Sequence, residues 1–242
     1  MVTLQYMKSK NLKLCEIFKS ISGEGLRQGV PAVFVRFSGC NMNCDYCDTK
    51  YHKYDFKMVS IDDILENEIV KKSKYFVITG GEPFVQHEDI FELIRHLSLL
   101  GKVEIETNGS NLYSNVLNLY KKVDPFKVLL TVDYKMDQAS ELYVKNFDRG
   151  LDLIKNKMQE LGVDDRWFPL CCIKIVVKNK KEIDESYELS KKYSGFKIIL
   201  SPCYGVISPT EMAEYIVDKG YDDLRVQVQL HKYLWEVNAR GK

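Results

Sequence analysis

The chain has 242 residues, of which 45% are hydrophobic and 29% are charged, and its formal net charge is +1. This length and composition are typical of one globular domain with an ample core. We treat residues 1–242 as a single domain because no linker or internal repeat divides them. A net charge so close to zero excludes a polyelectrolyte-binding protein, and we therefore expect no nucleic acid partner.

The N-terminal residues lack the long apolar segment of a signal peptide, and no stretch approaches the length of a membrane span. We therefore expect a cytoplasmic protein with reduced cysteines and no membrane partner. Cys171 and Cys172 lie in an apolar run, so we expect them to be buried as small hydrophobic residues.

Short apolar runs alternate with helical patterns along the chain. The predicted strands, rich in Val, Ile, Phe and Tyr, are residues 32–37, 75–79, 103–107, 128–132, 172–177, 197–200 and 224–228. The predicted helices are a segment capped by Ser60 and Asp63 that runs to about residue 72, then residues 88–100, 147–161, 181–193 and 209–219. Strands that alternate with helices form parallel βα units, and about six such units predict an α/β fold with a partial or modified (β/α) barrel.

A group of three cysteines follows the strand predicted at residues 32–37. Cys40, Cys44 and Cys47 have the spacing C-x3-C-x2-C and lie at the strand end where parallel α/β folds place their functional loops. Three thiolates without a nearby fourth leave one position of a metal centre open for chemistry. Two alternatives remain: His52 completes a Cys3His zinc site, or two of the thiols form a disulfide.

Two further segments end predicted strands with polar residues. Residues 79–83 read Thr-Gly-Gly-Glu-Pro, and glycine at two positions lets the backbone approach a ligand closely. Residues 104–109 read Glu-Ile-Glu-Thr-Asn-Gly. An ordinary turn explains either segment taken alone, because glycine pairs and Asn-Gly are common in turns.

The cysteine motif resembles the cluster loop of the radical S-adenosylmethionine (SAM) enzymes, in which three thiolates hold a [4Fe–4S] cluster whose fourth iron binds SAM. The Gly-Gly-Glu-Pro segment resembles the SAM-binding motif of the same superfamily. Residues 16–25, 34–40, 47–49 and 227–232 resemble, more narrowly, the 7-carboxy-7-deazaguanine synthase family. The respective sequences are Glu-Ile-Phe-Lys-Ser-Ile-Ser-Gly-Glu-Gly, Phe-Val-Arg-Phe-Ser-Gly-Cys, Cys-Asp-Thr and Gln-Val-Gln-Leu-His-Lys.

The resemblance spans nearly the whole chain in order, with three departures. Ser22 stands where the family usually has Gln, which puts one substrate contact in question. Residues 133–140 lack the family's common Pro-Ser-Ser, which puts contacts to the SAM ribose in question. Residues 240–242 are only close to the usual Arg-Gly-Val.

The resemblance implies a barrel of the radical SAM type and a lyase that converts 6-carboxy-5,6,7,8-tetrahydropterin to 7-carboxy-7-deazaguanine by radical ring contraction with loss of ammonia. The product belongs to queuosine or other 7-deazapurine pathways. The implied cofactors are a [4Fe–4S] cluster, SAM and Mg²⁺. We expect an external one-electron reductant of the flavodoxin or ferredoxin type, and a homodimer. Two alternatives are a glycyl-radical-enzyme activase of the same superfamily and a zinc-stabilised α/β binding protein.

The resemblance also implies roles for single residues. The metal ligands would be Cys40, Cys44 and Cys47 for the cluster and Thr49 for Mg²⁺, because a hydroxyl oxygen suits a hard cation. SAM would be bound by Tyr46, Asp48, Gly81, Glu82, Glu106, Asp133, Lys135, Ser201 and Tyr204. The substrate would be bound by Ile21, Ser22, Gly23, Glu24, Arg36, Thr79, Gln229 and His231.

Among the substrate-binding residues, Arg36 has the clearest chemical reason. A guanidinium is a planar fork that matches a carboxylate in two hydrogen bonds. The alternative for Arg36 is an outward-facing strand residue in a surface salt bridge. No residue beyond the cluster and SAM is assigned a catalytic role.

Overall fold

Strands and helices alternate along the chain, as the sequence predicts. The structure is a computed structural model that describes residues 9–86, 88–162, 170–236 and 239–242. The strands in these residues are β1 Leu12–Ile21, β2 Pro31–Phe37, β3 Lys57–Val59, β4 Tyr75–Gly80, β5 Lys102–Thr107, β6 Val128–Asp133, β7 Cys171–Val177, β8 Lys197–Pro202 and β9 Leu224–Val226. The helices are α1 Ile61–Leu65, α2 Glu68–Lys71, α3 Glu88–Leu100, α4 Leu112–Lys122, α5 Glu141–Glu160, α6 Lys180–Lys192, α7 Pro209–Lys219 and α8 His231–Leu234.

All the strands belong to one sheet in the order β3-β1-β2-β4-β5-β6-β7-β8-β9. From β2 to β9 every neighbouring pair is parallel, whereas β1 is antiparallel to both β2 and β3. The sheet is open, with β3 and β9 at its two edges. The predicted partial α/β barrel is therefore confirmed. None of the helices in the described residues is both long enough and apolar enough to cross a bilayer.

Alternate residues of each parallel strand lie on opposite faces of the sheet, because successive side chains of a strand point in opposite directions. In β5, Val103 and Ile105 are buried in the main hydrophobic core with the helices. Of the alternate residues on the opposite face, Glu104 is buried and Glu106 is half-buried. Polar groups therefore accumulate on the inner face of the sheet, while its outer face builds the apolar core.

The helix predicted from Ser60 to about residue 72 is two helices. The capping box is confirmed, because the Asp63 amide donates to Ser60 Oγ at 3.1 Å and the Ser60 amide donates to Asp63 Oδ2 at 2.8 Å. Asn67 then interrupts the helix in an extended conformation and caps α2 by accepting from the Ile69 amide at 3.0 Å. An Asn side chain competes for backbone amides in this way and so starts a new helix.

Other elements differ from the prediction in extent. The strands β1 and β3 and the helix α4 were not predicted, and Asn111, before α4, makes no side-chain cap that would have marked its start. Helix α5 begins at Glu141 rather than at residue 147, because Ser140 Oγ accepts from the Tyr143 amide at 3.3 Å. Strand β9 ends at Val226 rather than at residue 228.

Helices α4 and α5 pack closely where Gly150 faces Leu112. A Cβ atom added at Gly150 would lie 2.5 Å from Leu112 Cγ. In an open helix Gly to Ala gains roughly 1 kcal/mol, but overpacking a core costs about 1–3 kcal/mol. We therefore expect Gly150→Ala to lower the free energy of unfolding, measured by urea denaturation.

The control is Asn156→Ala, an exposed position of the same helix. Through helix propensity alone, this substitution should raise the free energy of unfolding by about 0.5 kcal/mol. A Gly150→Ala protein as stable as the Asn156→Ala protein would show that α4 moves freely away from α5.

Candidate active site

A cavity of about 1060 Å³ opens at the carboxyl ends of the parallel strands. It is lined by all three cysteines of the motif and by residues from β2, β4, β5, β6 and β7. All the predicted site residues line this cavity except Ser22, Glu82 and Ser201. The parallel arrangement explains the convergence, because it brings loops from distant parts of the chain to one edge of the sheet.

The cysteine loop leaves β2 and is held by backbone hydrogen bonds. The Gly39 amide donates to the His52 carbonyl at 3.3 Å, and the Glu82 amide donates to the Gly39 carbonyl at 2.8 Å. A Cβ atom at Gly81 would lie 2.1 Å from the Gly39 carbonyl oxygen. Glycine at position 81 therefore allows the loop after β4 to lie directly against the cysteine loop.

The three thiols of the loop are free and half-buried. Cys40 Sγ accepts hydrogen bonds from the Met42 amide at 3.4 Å and from Asn108 Nδ2 at 3.8 Å. Burial raises the pKa of the Cys40 and Cys44 thiols. Such donors stabilise negative charge on sulfur and tune the potential of an iron–sulfur cluster.

The donor set fits an iron–sulfur cluster better than a zinc ion. Within the described ranges, no group of three or more His, Cys, Asp or Glu side chains is placed to hold one metal ion. His52 is buried, and among the described residues its Nδ1 has no hydrogen-bond partner. In a cluster each cysteine binds a different iron, so the thiolates stand further apart than around one zinc. The three thiols that face the cavity are the soft ligands that such a cluster takes.

Glu82 lies behind the cavity wall instead of lining it. Its carboxylate accepts from Thr107 Oγ1 at 2.8 Å and from the Asn108 amide at 2.7 Å. Burial raises the pKa of Glu82 to about 7. Glu82 thus joins the ends of β4 and β5 and places Asn108 beside Cys40, and its side chain does not reach the cavity as a direct SAM contact would require.

Two acidic side chains of β5 occupy the inner face at different depths. Glu106 lines the cavity and accepts from Thr79 Oγ1 at 2.6 Å, and burial raises its pKa. Glu104 lies deeper, where Tyr75 and Thr131 both donate to its carboxylate, the latter at 2.6 Å. Burial raises the pKa of Glu104 to about 7.

Lys174 of β7 is a cavity residue that the sequence interpretation missed. Its ammonium pairs with Glu24 and lies 3.1 Å from Asp133 Oδ2, which Lys135 Nζ also contacts at 2.8 Å. Burial by itself would lower the pKa of Lys174, but the charges of Asp133 and Glu24 outweigh it and hold the pKa well above its usual value. The available signal was one Lys among six apolar residues of a strand, since a buried cation needs a partner.

The Asp48-Thr49 pair faces the C-terminal segment across the cavity. Thr49 Oγ1 donates to Asp48 Oδ1 at 2.8 Å, and Lys232 Nζ and His231 Nε2 lie 3.1 and 3.5 Å from Asp48 Oδ2. Burial would raise the pKa of Asp48, but the hydrogen bonds from His231 and Thr49 and the charge of Lys232 hold it well below its usual value. Asp48 is therefore ionised at neutral pH.

Arg36 lines the cavity and forms a salt bridge with Glu16 there, so it is not the outward-facing residue of the alternative considered from the sequence. Arg36 Nε lies 2.9 Å from Glu16 Oε1, which also accepts from the Tyr51 hydroxyl at 2.6 Å. The two charged side chains are 17% and 16% exposed, which makes the pair largely buried rather than superficial.

The segment after β1 is held against the segment after β9. Gln227 accepts from the Gly25 amide and donates to the Gly25 carbonyl, each at 2.8 Å. A Cβ atom at Gly23 would lie 2.6 Å from His231 Nδ1. The backbone amide and carbonyl of Ser22 are already paired within the loop, and its side chain is fully buried. The Ser22 amide is therefore engaged, and its carbonyl oxygen keeps one lone pair for a further donor.

The remaining predicted SAM contacts divide into cavity and core residues. The Tyr46 ring lies between Lys135 and Lys178, with each Nζ 5.2 Å from the ring centroid. Tyr204 lines the cavity and is 49% exposed. Ser201 is fully buried, and its Oγ has no hydrogen-bond partner within the described part of the chain.

The buried carboxyl of Glu104 predicts a pH dependence of stability. Between its ordinary pKa of 4.5 and its folded pKa of about 7, the unfolded chain releases a proton that the folded protein keeps. The free energy of unfolding should therefore fall as pH rises through this window, by about 3 kcal/mol for this group. Glu104→Gln removes the charge and resembles the protonated acid, because its Oε1 accepts from one of the two hydroxyls and its Nε2 donates to the other. This variant should therefore remove that share of the fall.

Urea denaturation at several pH values between 4.5 and 8 measures this effect. The control is Glu211→Gln, an exposed carboxylate in the first turn of α7, which should leave the pH profile unchanged. A Glu104→Gln profile as steep as that of the wild type would contradict the assignment of this pH dependence to Glu104.

Comparison with known proteins agrees with the geometry. The family model of the radical SAM superfamily matches residues 34–177. A 7-carboxy-7-deazaguanine synthase of Clostridium acetobutylicum is 36% identical over 96% of this chain and 99% of its own. Another, of Pyrobaculum aerophilum, is 41% identical over 96% of this chain and 97% of its own. The crystal structure of QueE from Escherichia coli has 21% sequence identity and a TM-score of 0.64 over 95% of this chain and 98% of that chain, which supports the fold.

These similarities confirm the family that the motifs predict, and they support neither the activase nor the zinc-binding alternative. The family implies a [4Fe–4S] cluster and SAM as cofactors and a radical SAM lyase as the class of enzyme. The chain belongs to the 7-carboxy-7-deazaguanine synthase family of the radical SAM superfamily.

Proposed function

We propose that this chain converts 6-carboxy-5,6,7,8-tetrahydropterin to 7-carboxy-7-deazaguanine with loss of ammonia. One observation carries the proposal: a single cavity holds the three free thiols, the Arg36 guanidinium and the Asp48-Thr49 pair. The chain also matches the named relatives over nearly their full length.

The cysteine loop would hold the cofactors at one end of the cavity. When bound, the cluster and SAM supply the one-electron cleavage chemistry that starts a radical reaction on the substrate. The cluster would be held by Cys40, Cys44 and Cys47, and the side-chain Nδ2 of Asn108 would donate to the Cys40 sulfur. The backbone at Gly81 lies against this loop and lines the cavity, where it would meet the amino acid part of SAM.

Arg36 would bind the carboxylate of the substrate. Among the described residues only its Nε makes a hydrogen bond, to Glu16, which leaves both terminal nitrogens for a carboxylate. Glu16 fixes the guanidinium plane through this hydrogen bond. The substrate would therefore meet an oriented donor pair.

Thr49 would contribute an oxygen ligand to Mg²⁺. Its hydroxyl proton points to Asp48, so the oxygen lone pairs remain available to a cation. Asp48 is held in place by His231 and Lys232 and in turn orients Thr49. The substrate carboxylate and water would complete the shell. Mg²⁺, a flavodoxin- or ferredoxin-type reductant and a homodimer all remain predictions.

The direct test is anaerobic incubation of the reconstituted protein with SAM, a reductant and the carboxytetrahydropterin. We expect a deazapurine product with the mass of 7-carboxy-7-deazaguanine, detected by absorbance and mass spectrometry. Cleavage of SAM without that product would contradict the proposed substrate, and no cleavage at all would contradict the proposed reaction class.

Each cysteine of the motif should be required for the cluster. Cys40→Ala, Cys44→Ala and Cys47→Ala each leave two thiolates, so we expect loss of most iron–sulfur absorption after reconstitution. The control is Cys203→Ala, because Cys203 is also a free thiol on the cavity wall. Full cluster content in any of the three motif variants would remove that cysteine from the ligand set.

Thr49 should determine the response to Mg²⁺. Thr49→Ala should lose most of the activation by added Mg²⁺, because it lacks the ligand oxygen, whereas Thr49→Ser should keep it. SAM binding, measured by calorimetry, should survive in both variants. The same Mg²⁺ dependence in wild type and Thr49→Ala would place the ion elsewhere.

Arg36 should determine binding of the pterin. Breaking a largely buried Arg–carboxylate pair costs about 3–5 kcal/mol. Because 1.4 kcal/mol corresponds to about tenfold in affinity, Arg36→Ala should weaken pterin binding by at least about 100-fold. SAM binding should be unaffected. Arg36→Lys should restore only part, because a point charge does not replace a planar fork.

Anaerobic calorimetry measures the pterin affinity of these variants, and Arg225→Ala, an exposed position on β9, controls for a change of charge. Wild-type affinity in the Arg36→Ala protein would rule out Arg36 as the carboxylate ligand.

A further inference from the structure

Lys174 connects two sides of the cavity through a single ammonium group. Its neighbour on β6 supplies Asp133, whose Oδ2 lies 3.1 Å from Lys174 Nζ. Its other partner, Glu24, comes from the loop between β1 and β2, on the far side of the curved sheet. The side chains of Lys174, Glu24 and Asp133 are 11%, 11% and 16% exposed, so the contact lies in the interior.

The two carboxylates belong to different parts of the cavity. Glu24 also accepts from Gln229 Nε2, and both residues lie in the region assigned to the substrate. Asp133 is also paired with Lys135, which lies over the Tyr46 ring in the region assigned to SAM. Lys174 is thus the residue that touches both regions.

Asp133 retains an unused acceptor. Both lysines contact Oδ2, whereas Oδ1 is buried and has no hydrogen-bond partner within the ranges that the structure describes. A buried carboxylate oxygen without a donor is costly. A ligand in the cavity that carries hydroxyl or amino groups would supply that donor, and SAM carries both.

We propose that Lys174 is a positioning residue shared by two ligand subsites, in which its ammonium holds Glu24 for the substrate and Asp133 for SAM. The inference rests on the proposed function, since it takes the two ligands from there. An ammonium suits this role because it is a compact charge with three donors and can serve two carboxylates at once. Lys135 does not replace it, because within the described residues Lys135 pairs with Asp133 and not with Glu24.

The proposal predicts which ligand each variant affects. Lys174→Met removes the charge at similar volume. Each carboxylate then loses one charged partner, which leaves Lys135 on Asp133 and Gln229 on Glu24. We expect the affinities for SAM and for the pterin both to fall by about tenfold or more, the loss typical of a hydrogen bond to a charged group. Glu24→Gln should weaken pterin binding and spare SAM binding, and Asp133→Asn should do the reverse.

The test is anaerobic calorimetry on the reconstituted, unreduced holoprotein, with SAM titrated alone and the pterin titrated at saturating SAM. Gly150→Ala provides a control that is destabilised at the contact between α4 and α5, outside the cavity lining, and both of its affinities should equal those of the wild type. An equal loss of affinity in Gly150→Ala would mean that general destabilisation explains the Lys174→Met result, which would overturn the proposal.

A second variant covers the case in which Lys174→Met does not fold. Lys174→Met combined with Glu24→Gln removes one cation and one anion together, while Lys135 still pairs with Asp133. The proposal expects this double variant to bind SAM about tenfold less tightly than Glu24→Gln alone. Equal SAM affinity in these two proteins would overturn it.

The outcomes separate this inference from the proposed function. A wild-type protein that binds both ligands, with a Lys174→Met variant that binds them equally well, would overturn the shared positioning role alone. A wild-type holoprotein that binds neither ligand would overturn the proposed function, and the inference with it.

Discussion

The inner face of the sheet must keep several charges away from water, and their mutual neutralisation is the constraint on which the cavity depends. Removing a charge from water is unfavourable unless an opposite charge or a set of hydrogen bonds compensates it. Lys174 meets this requirement by pairing with Glu24 and Asp133, and Lys135 adds a second cation to Asp133. Because Glu24 and Asp133 come from opposite sides of the open sheet, the ion pairs also hold those sides together.

The cysteine loop depends on a different device, close backbone contact. Gly81 lets the loop after β4 lie against Gly39, and the carboxylate of Glu82 behind it ties down Asn108. Asn108 in turn donates to Cys40. Glu82 thus positions a hydrogen-bond donor to the Cys40 thiol although it does not face the cavity. Residues around metal sites commonly orient the ligands in this indirect way.

The sequence by itself determined the fold class, the alternation of parallel strands with helices and the three-thiolate centre of the cysteine loop. Local signals suffice for these, because apolar periodicity, the Ser60 cap and the C-x3-C-x2-C spacing are properties of neighbouring residues. The same local signals failed where they were weak or divided, as at Asn67, which starts a second helix inside a helical pattern, and at α4, which has no side-chain cap.

Only the tertiary structure decided which residues share the cavity and how their charges are paired. Nothing near Lys174 in the sequence indicates that it meets Glu24, 150 positions away. Nor does the sequence indicate that the Glu82 side chain lies behind the cavity wall while Gly81 faces the cysteine loop. The contacts of Gly81 and Glu82 arise because parallel strands bring the loops at their carboxyl ends to one edge of the sheet. Glu24 instead reaches Lys174 from the loop that joins the antiparallel strands β1 and β2. The tertiary packing decides which residue pairs with a buried charge. The sequence shows only that Lys174, a single Lys within an apolar strand, needs a partner.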